Sequence, residues 1–304
     1  MSLPSWNDGA ARTAILEYIE RTTSADGPEH VPVEERVAVF DNDGTLWCER
    51  PTYLQASFIV DRLREQAAVD PGLAEEPVVA ALLAGDLAAA TGYGLEAVLK
   101  VLLDAHAGMT TDEFAAAVAA WATDFRHPRF AVAPRGLVYT PMLELMDLLR
   151  SHAFRVFIVT GGGVDFLRPL AADLYGVCPD DVVGSAVEVT FERRDGAIVL
   201  VRTAALSGSP NEGAPKVSAI HARVGVRPVV AAGNSAGDRE MLEFAHTGHR
   251  PSLCLVIDHD DPDREYAYPG AALTDPHAEP IAATAERFGW TVVHIRSDWS
   301  RVFA

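Results

Sequence analysis

Short apolar runs recur along the chain, each set off from the next by segments with helical spacing, and this alternation limits the fold more than any other feature. The runs fall at 37–40, 155–159, 229–232, 253–257 and 291–295. The first, Val37-Ala38-Val39-Phe40, is apolar at every position. A strand without a polar face is buried on both faces, as in parallel sheets. Helical spacing is expected at 140–152, 165–175, 214–224, 237–244 and 278–288, with an amphipathic lead-in helix over 8–22. Alternation of this kind predicts a Rossmann-like, doubly wound α/β fold: a mostly parallel sheet with helices on both faces. One departure is a hairpin, expected from 183–189 and 197–202 around Asp195-Gly196.

The second departure is longer. From residue 48 to 135 the chain is rich in Ala and Leu, with helical spacing at 53–66, 77–90, 95–107 and 110–125. Thr110-x-x-Glu113 fits a capping box ahead of an apolar run. The expected organisation is an α/β core from 1–47 and 136–304, interrupted by an all-helical insertion over 48–135.

Charge and cysteine usage narrow the classes of partner. Of the 304 residues, 25 are Lys or Arg and 43 are Asp or Glu, a net charge of −18. Such a chain repels a polyphosphate backbone, so nucleic acid is not an expected partner. The apolar runs fall far short of the roughly 18 residues of a membrane span, so none is expected. The odd set Cys48, Cys178 and Cys254 is neither a disulfide framework nor a zinc pattern, and the first 20 residues lack a signal-peptide pattern. Both point to the cytoplasm. An acidic chain that binds an anion needs a local cation, either a metal or well-placed Lys and Arg.

The chemistry concentrates at strand ends. Asp41-Asn42-Asp43-Gly44 directly follows the first apolar run. Ligands of open α/β sheets bind at that edge, and Gly44 lets the backbone turn sharply. The same residues also suit a simple Asx turn. With Thr45 they form DxDGT, which resembles motif I of the haloacid dehalogenase superfamily of phosphohydrolases. Three further features of that family occur in order. Val156-Phe157-Ile158-Val159 ends in Thr160-Gly161, Lys216 opens a helix after Pro215, and Val229–Ala232 leads into Gly233-Asn234-Ser235-Ala236-Gly237-Asp238. The resemblance runs from Val37 to about Leu242.

It implies a phosphomonoesterase acting on a small phosphorylated metabolite. Asp41 would be the nucleophile, forming an aspartyl-phosphate, and Asp43 the general acid and then base. Gly44, Thr160, Gly161 and Lys216 would hold the phosphate with Asp43. The implied cofactor is Mg²⁺, held by Asp41, the Asp43 carbonyl, and Asn234 or Asp238, with Asn234 standing where the family often has Asp. The helical insertion resembles the family's mobile cap, in the phosphoserine phosphatase-like branch. A Glu after motif I and a cap Arg select substrate there; Glu49 and Arg62 are candidates, with Arg50, Arg64, Arg126 and Arg129 equally placed. A phosphotransferase or phosphomutase shares the first half-reaction. A receiver-like phosphate-binding module or a dehalogenase has no use for Asp43. Elsewhere, Gly161-Gly162-Gly163 lacks the third glycine of a dinucleotide loop. His259-Asp260-Asp261 with Asp263 is either a second metal site or a solvated loop. Trp47 and Trp290 are expected to pack.

Overall fold

The computed structural model describes residues 3–272 and 278–304. Nine strands are described: β1 Val37–Phe40, β2 Arg155–Gly163, β3 Val182–Ser185, β4 Val187–Arg194, β5 Ala197–Leu206, β6 Val230–Gly233, β7 Leu253–Asp260, β8 Ala267–Tyr268 and β9 Thr291–His294. The main sheet runs β3-β2-β1-β6-β7, with β9 parallel to β7 and the short β8 antiparallel at its end. All its other pairings are parallel. This is the doubly wound α/β architecture that the alternation predicts.

β1 lies in the middle and is buried at all four residues, as is β6. Successive side chains point to opposite faces. Ala38 and Phe40 join one core, and Val37 and Val39 join the other. The register sets Phe40 level with Ile158 of β2 and with Ala232 of β6. Asp41, Thr160 and Asn234 therefore come side by side at one edge of the sheet, Thr160 still within β2 and the other two just past their strands.

Residues 48–135, between β1 and β2, hold five α-helices: Leu54–Val69, Pro77–Leu83, Leu87–Gly92, Leu95–Asp104 and Thr111–Asp124. The last carries the expected capping box, with both Thr110 and Glu113 bonds formed. The single helix expected over 77–90 is two. Gly85 takes a left-handed φ of 74°, and Asp86 then accepts from Ala89 N–H and starts a new helix. An aromatic cluster of Phe58, Phe114 and Trp121 ties the insertion to Phe166 of the core.

The hairpin boundaries also need correction. Val182–Ser185 is a parallel edge strand on β2, because Val182 and Val183 are core residues. The hairpin itself is β4 with β5, turning at Asp195 and Gly196, both at positive φ. It leaves the sheet and leans on the helical insertion: Arg202 exchanges backbone hydrogen bonds with Gly108 and Met109 at 2.9 Å. The insertion is all-helical in itself, and a β-ribbon from the second half of the chain is laid against it. The helix expected over 278–288 begins at Ile281, behind Pro280. That over 237–244 is a short 3₁₀ turn and then Arg239–His246. No described helix is long and apolar enough to cross a membrane.

Candidate active site

Asp41 continues β1, its N–H donating to Ala232 O at 2.9 Å. The chain then turns through Gly44, whose φ is 72°. Only glycine fits: a Cβ there would lie 2.0 Å from Asn234 Nδ2. Gly44 O accepts from His259 Nε2 at 2.8 Å, and Glu265 holds His259 Nδ1 at 3.0 Å. The acidic segment after β7 thus braces this loop. Asp261 serves Arg264 and two backbone N–H groups, and Asp260 caps Arg296 N–H. His259, Asp260, Asp261 and Asp263 are spread over separate tasks and do not converge as a metal site.

Lys216 stands in the first turn of Ala214–Arg223, 2% exposed. Its Nζ lies 2.6 Å from Asp41 Oδ1 and 2.6 Å from Asp238 Oδ1. The other oxygen of Asp238 accepts from Asn234 N–H and Ser235 N–H at 3.0 Å. Asp238 thereby fixes both the lysine and the turn carrying Asn234. Asp43 Oδ1 accepts from Trp47 Nε1 at 2.8 Å, so this buried tryptophan orients a carboxylate as well as packing. Trp290 stacks on Phe288 at 5.0 Å and does pack.

Burial pushes Asp41 well above the usual carboxylate range; Asp238 adds to the effect and Lys216 opposes it. Burial likewise raises Asp43, against the Trp47 bond. Burial alone would lower Lys216, but its two carboxylates outweigh that and hold it protonated. Glu49, buried near Gly44, is pushed up to about 7, chiefly by desolvation.

Three carboxyl groups thus gather about one ammonium, Asp41 and Asp238 in contact with it and Asp43 nearby. The donor set matches a hard divalent cation. Asn234 is buried, its Nδ2 has no hydrogen-bond partner, and its Oδ1 takes only a 3.4 Å contact from Thr45. A half-turn of this amide presents its oxygen where the nitrogen stands, beside Gly44. A set of oxygen ligands that includes carboxyl groups fits Mg²⁺.

Thr160 Oγ1 accepts from Gly162 N–H at 2.9 Å, and Asn211 Nδ2 holds Thr160 O at 2.9 Å. Gly161-Gly162-Gly163 prolongs β2 beside β3 instead of opening a dinucleotide loop. Gly163 N–H donates to Gln55 Oε1 at 2.7 Å, joining the strand end to the insertion. Above lies a cavity of about 320 Å³, lined by Asp41, Asp43, Glu49, Gly161, Lys216, Asn234 and Asp238 at one end. Thr160 and Gly44 sit just behind that wall. Arg62 is not part of the lining; it stands near His106 and pairs with Glu65 at 3.2 Å. Arg64 and Arg129 are likewise tied to partners, Asp61 and the 262–265 backbone. The arginine that does line the cavity is Arg202, which the sequence offered no reason to choose, because β5 brings it there only through tertiary packing. Gln55 went unread, and Trp47 was read only as a packing residue, for a similar reason: their bonds to Gly163 and Asp43 appear only once the loops are folded.

Comparison with known proteins agrees with this fold. No curated sequence matches the chain. A protein of unknown function from Bordetella pertussis Tohama I matches with a TM-score of 0.53 at 19% identity, over 85% of this chain and 98% of that one. A functionally unknown protein from Anaerococcus prevotii DSM 20548 matches with a TM-score of 0.52 at 14% identity, over 82% and 86%. A phosphoserine phosphohydrolase-like protein from Francisella tularensis is a looser match, with a TM-score of 0.39 at 16% identity over 83% and 99%. The family model of the haloacid dehalogenase-like hydrolases matches residues 38–243, from within β1 to within the helix after Asp238. The chain belongs to the haloacid dehalogenase-like hydrolase family.

Proposed function

We propose that the protein is a Mg²⁺-dependent phosphomonoesterase acting on a small organic phosphate in the cytoplasm, through an aspartyl-phosphate on Asp41. The observation that carries this is the placement of Lys216 Nζ at 2.6 Å from both Asp41 and Asp238, at the sheet edge where Asp43 and Asn234 also converge.

The residues divide the work as follows. Asp41 attacks phosphorus in line with the ester oxygen, and its raised proton affinity means that a bound cation is needed to keep it ionised. Asp41, the Asp43 carbonyl and Asn234 would hold Mg²⁺, with Asp238 one residue layer behind, fixing Lys216 and the Asn234 turn. The ion would neutralise charge on the phosphoryl oxygens. Asp43 gives its proton to the leaving alkoxide; burial favours the neutral form that this step requires. It then takes a proton from the water that cleaves the aspartyl-phosphate. Lys216 stabilises charge on the equatorial oxygens, and Thr160 and Gly161 cradle the phosphate. The helical insertion with the β4–β5 hairpin is proposed to be the cap, which excludes bulk water. The cytoplasmic assignment is supported by Cys48, Cys178 and Cys254 being unpaired.

The test is phosphate release from a generic aryl phosphate, with Mg²⁺ and with EDTA. We expect one phosphate per ester consumed, loss of turnover in EDTA, and a fall of at least about a thousandfold in Asp41→Asn. Full activity of that variant, or equal activity in EDTA, sinks the reading.

A further inference from the structure

The far wall of the cavity carries polar groups that phosphoryl transfer does not use. Arg202 enters from β5, ion-paired to Asp165, with its guanidinium carbon 3.8 Å from the centre of the Phe114 ring. His106 follows the helix Leu95–Asp104, stacks on Phe58 at 4.8 Å and meets Phe114 edge-on at 5.1 Å. Both line the same cavity as Asp41. His106 is 3% exposed and Arg202 9%, yet His106 Nε2 and Arg202 Nε have no hydrogen-bond partner. Buried polar atoms are rarely left unpaired. Two such atoms in one wall of a ligand-sized cavity mark a place where a ligand supplies the partner.

The charge balance says what kind of partner. Asp165 already answers the charge of Arg202. Burial, aided by Arg202 and by Arg62, whose own charge is answered by Glu65, lowers His106 to about 4, so it is neutral at pH 7. The far wall is therefore polar without net charge. A carboxylate there would meet Asp165, and an ammonium would meet Arg202. Between this wall and the phosphoryl end the lining is largely apolar, with Ile59, Val98, Leu102, Leu103, Phe166 and Leu206. The volume falls in the range of small-molecule sites, roughly 300–1,000 Å³.

Resting on the phosphomonoesterase reading, we propose that the substrate is the phosphate ester of an uncharged, largely apolar alcohol bearing one neutral oxygen acceptor, and that Arg202 and His106 bind that oxygen. A site built to hydrogen-bond a substrate group discriminates strongly against the analogue lacking it.

The experiment uses alkyl phosphates of about four to eight carbons, each as the parent, the terminal methyl ketone and the terminal carboxylate. Leaving-group chemistry is the same across each set, so kcat/KM ratios read the far wall. In the wild type, the best ketone should exceed its parent by roughly tenfold or more, and the carboxylate should rank last. Arg202→Met and His106→Phe should each pull the ketone-to-parent ratio toward one. A purely structural role would lower both esters and leave the ratio alone. Asp165→Asn should move the other way and raise the carboxylate relative to the parent. Calorimetric binding of the same panel to Asp41→Asn protein reads the wall without turnover. The expected binding order together with no turnover of any ester by the wild type overturns the phosphomonoesterase reading alone. A preference for the carboxylate esters, or a ketone ratio unmoved in both Arg202→Met and His106→Phe, overturns this one.

Discussion

Lys216 is buried between two carboxylates that have no other cation in contact. Replacing it with Met leaves both charges stranded, which costs about 3–5 kcal/mol when one partner of a buried pair is removed. Lys216→Met should therefore lower the midpoint of denaturant unfolding as well as abolish turnover. Asp238→Asn, which keeps the shape and removes one charge, should fold better while still weakening the hold on Lys216. Gly44→Ala combines a left-handed φ with a Cβ 2.0 Å from Asn234. We expect a loss of roughly 1–3 kcal/mol and, because the clash falls on Asn234, a larger Mg²⁺ requirement in an activity titration. Unchanged Mg²⁺ dependence in a folded Gly44→Ala protein would contradict the assignment of Asn234. At this scale the sequence was informative wherever a side chain's place follows from its own strand. Asp41, Thr160 and Asn234 could be read because each follows an apolar run that can only be a buried strand. Arg202 could not: it belongs to the site only because β5 folds back over a helix about 100 residues earlier in the chain, and nothing local to Val201-Arg202-Thr203 records that. Arg62 failed for the converse reason, since helical spacing does not say which face meets the cavity.

Elements were legible where periodicity is long and less so at their joints. The central strands lie where their apolar runs lie. The two errors, one helix read over 77–90 and a strand read across 183–189, fall at Gly85-Asp86 and Ser185-Ala186, where one or two residues redirect the chain without breaking the apolar pattern. The contact between hairpin and insertion yields a pH prediction through His106. Its folded pKa is about 4, against an ordinary 6.5. Between those values the unfolded chain takes up a proton that the folded chain refuses. Stability is therefore lost as pH falls from about 6.5 to about 4, by up to about 3 kcal/mol, and is not lost further below that. His106→Phe retains the stack on Phe58 and removes the proton. Denaturant unfolding at pH 7 and pH 5 should show a smaller difference between the two pH values in the variant than in the wild type; equal differences would contradict the burial of a neutral His106.

For the whole molecule, the acidity that argued against nucleic acid becomes a local matter at the sheet edge, where three carboxyl groups gather about a single ammonium. A cation that binds only the folded chain raises its stability, by about 2.7 kcal/mol at a hundred times its dissociation constant. Mg²⁺ should therefore raise the melting temperature of the wild type, and raise it less in Asp41→Asn, independently of any substrate. The brace on Gly44 has a different consequence. The family pattern ends at residue 243, yet the group that grips the Gly44 carbonyl is His259, 215 residues further along the chain. During synthesis the loop bearing Asp41 and Asp43 emerges long before the residue that braces it. A nascent chain halted after the final family motif would hold every residue proposed to be catalytic and still lack the clamp that shapes the Gly44 turn, so on this reading competence arrives late, with a stretch of chain to which none of the chemistry is assigned.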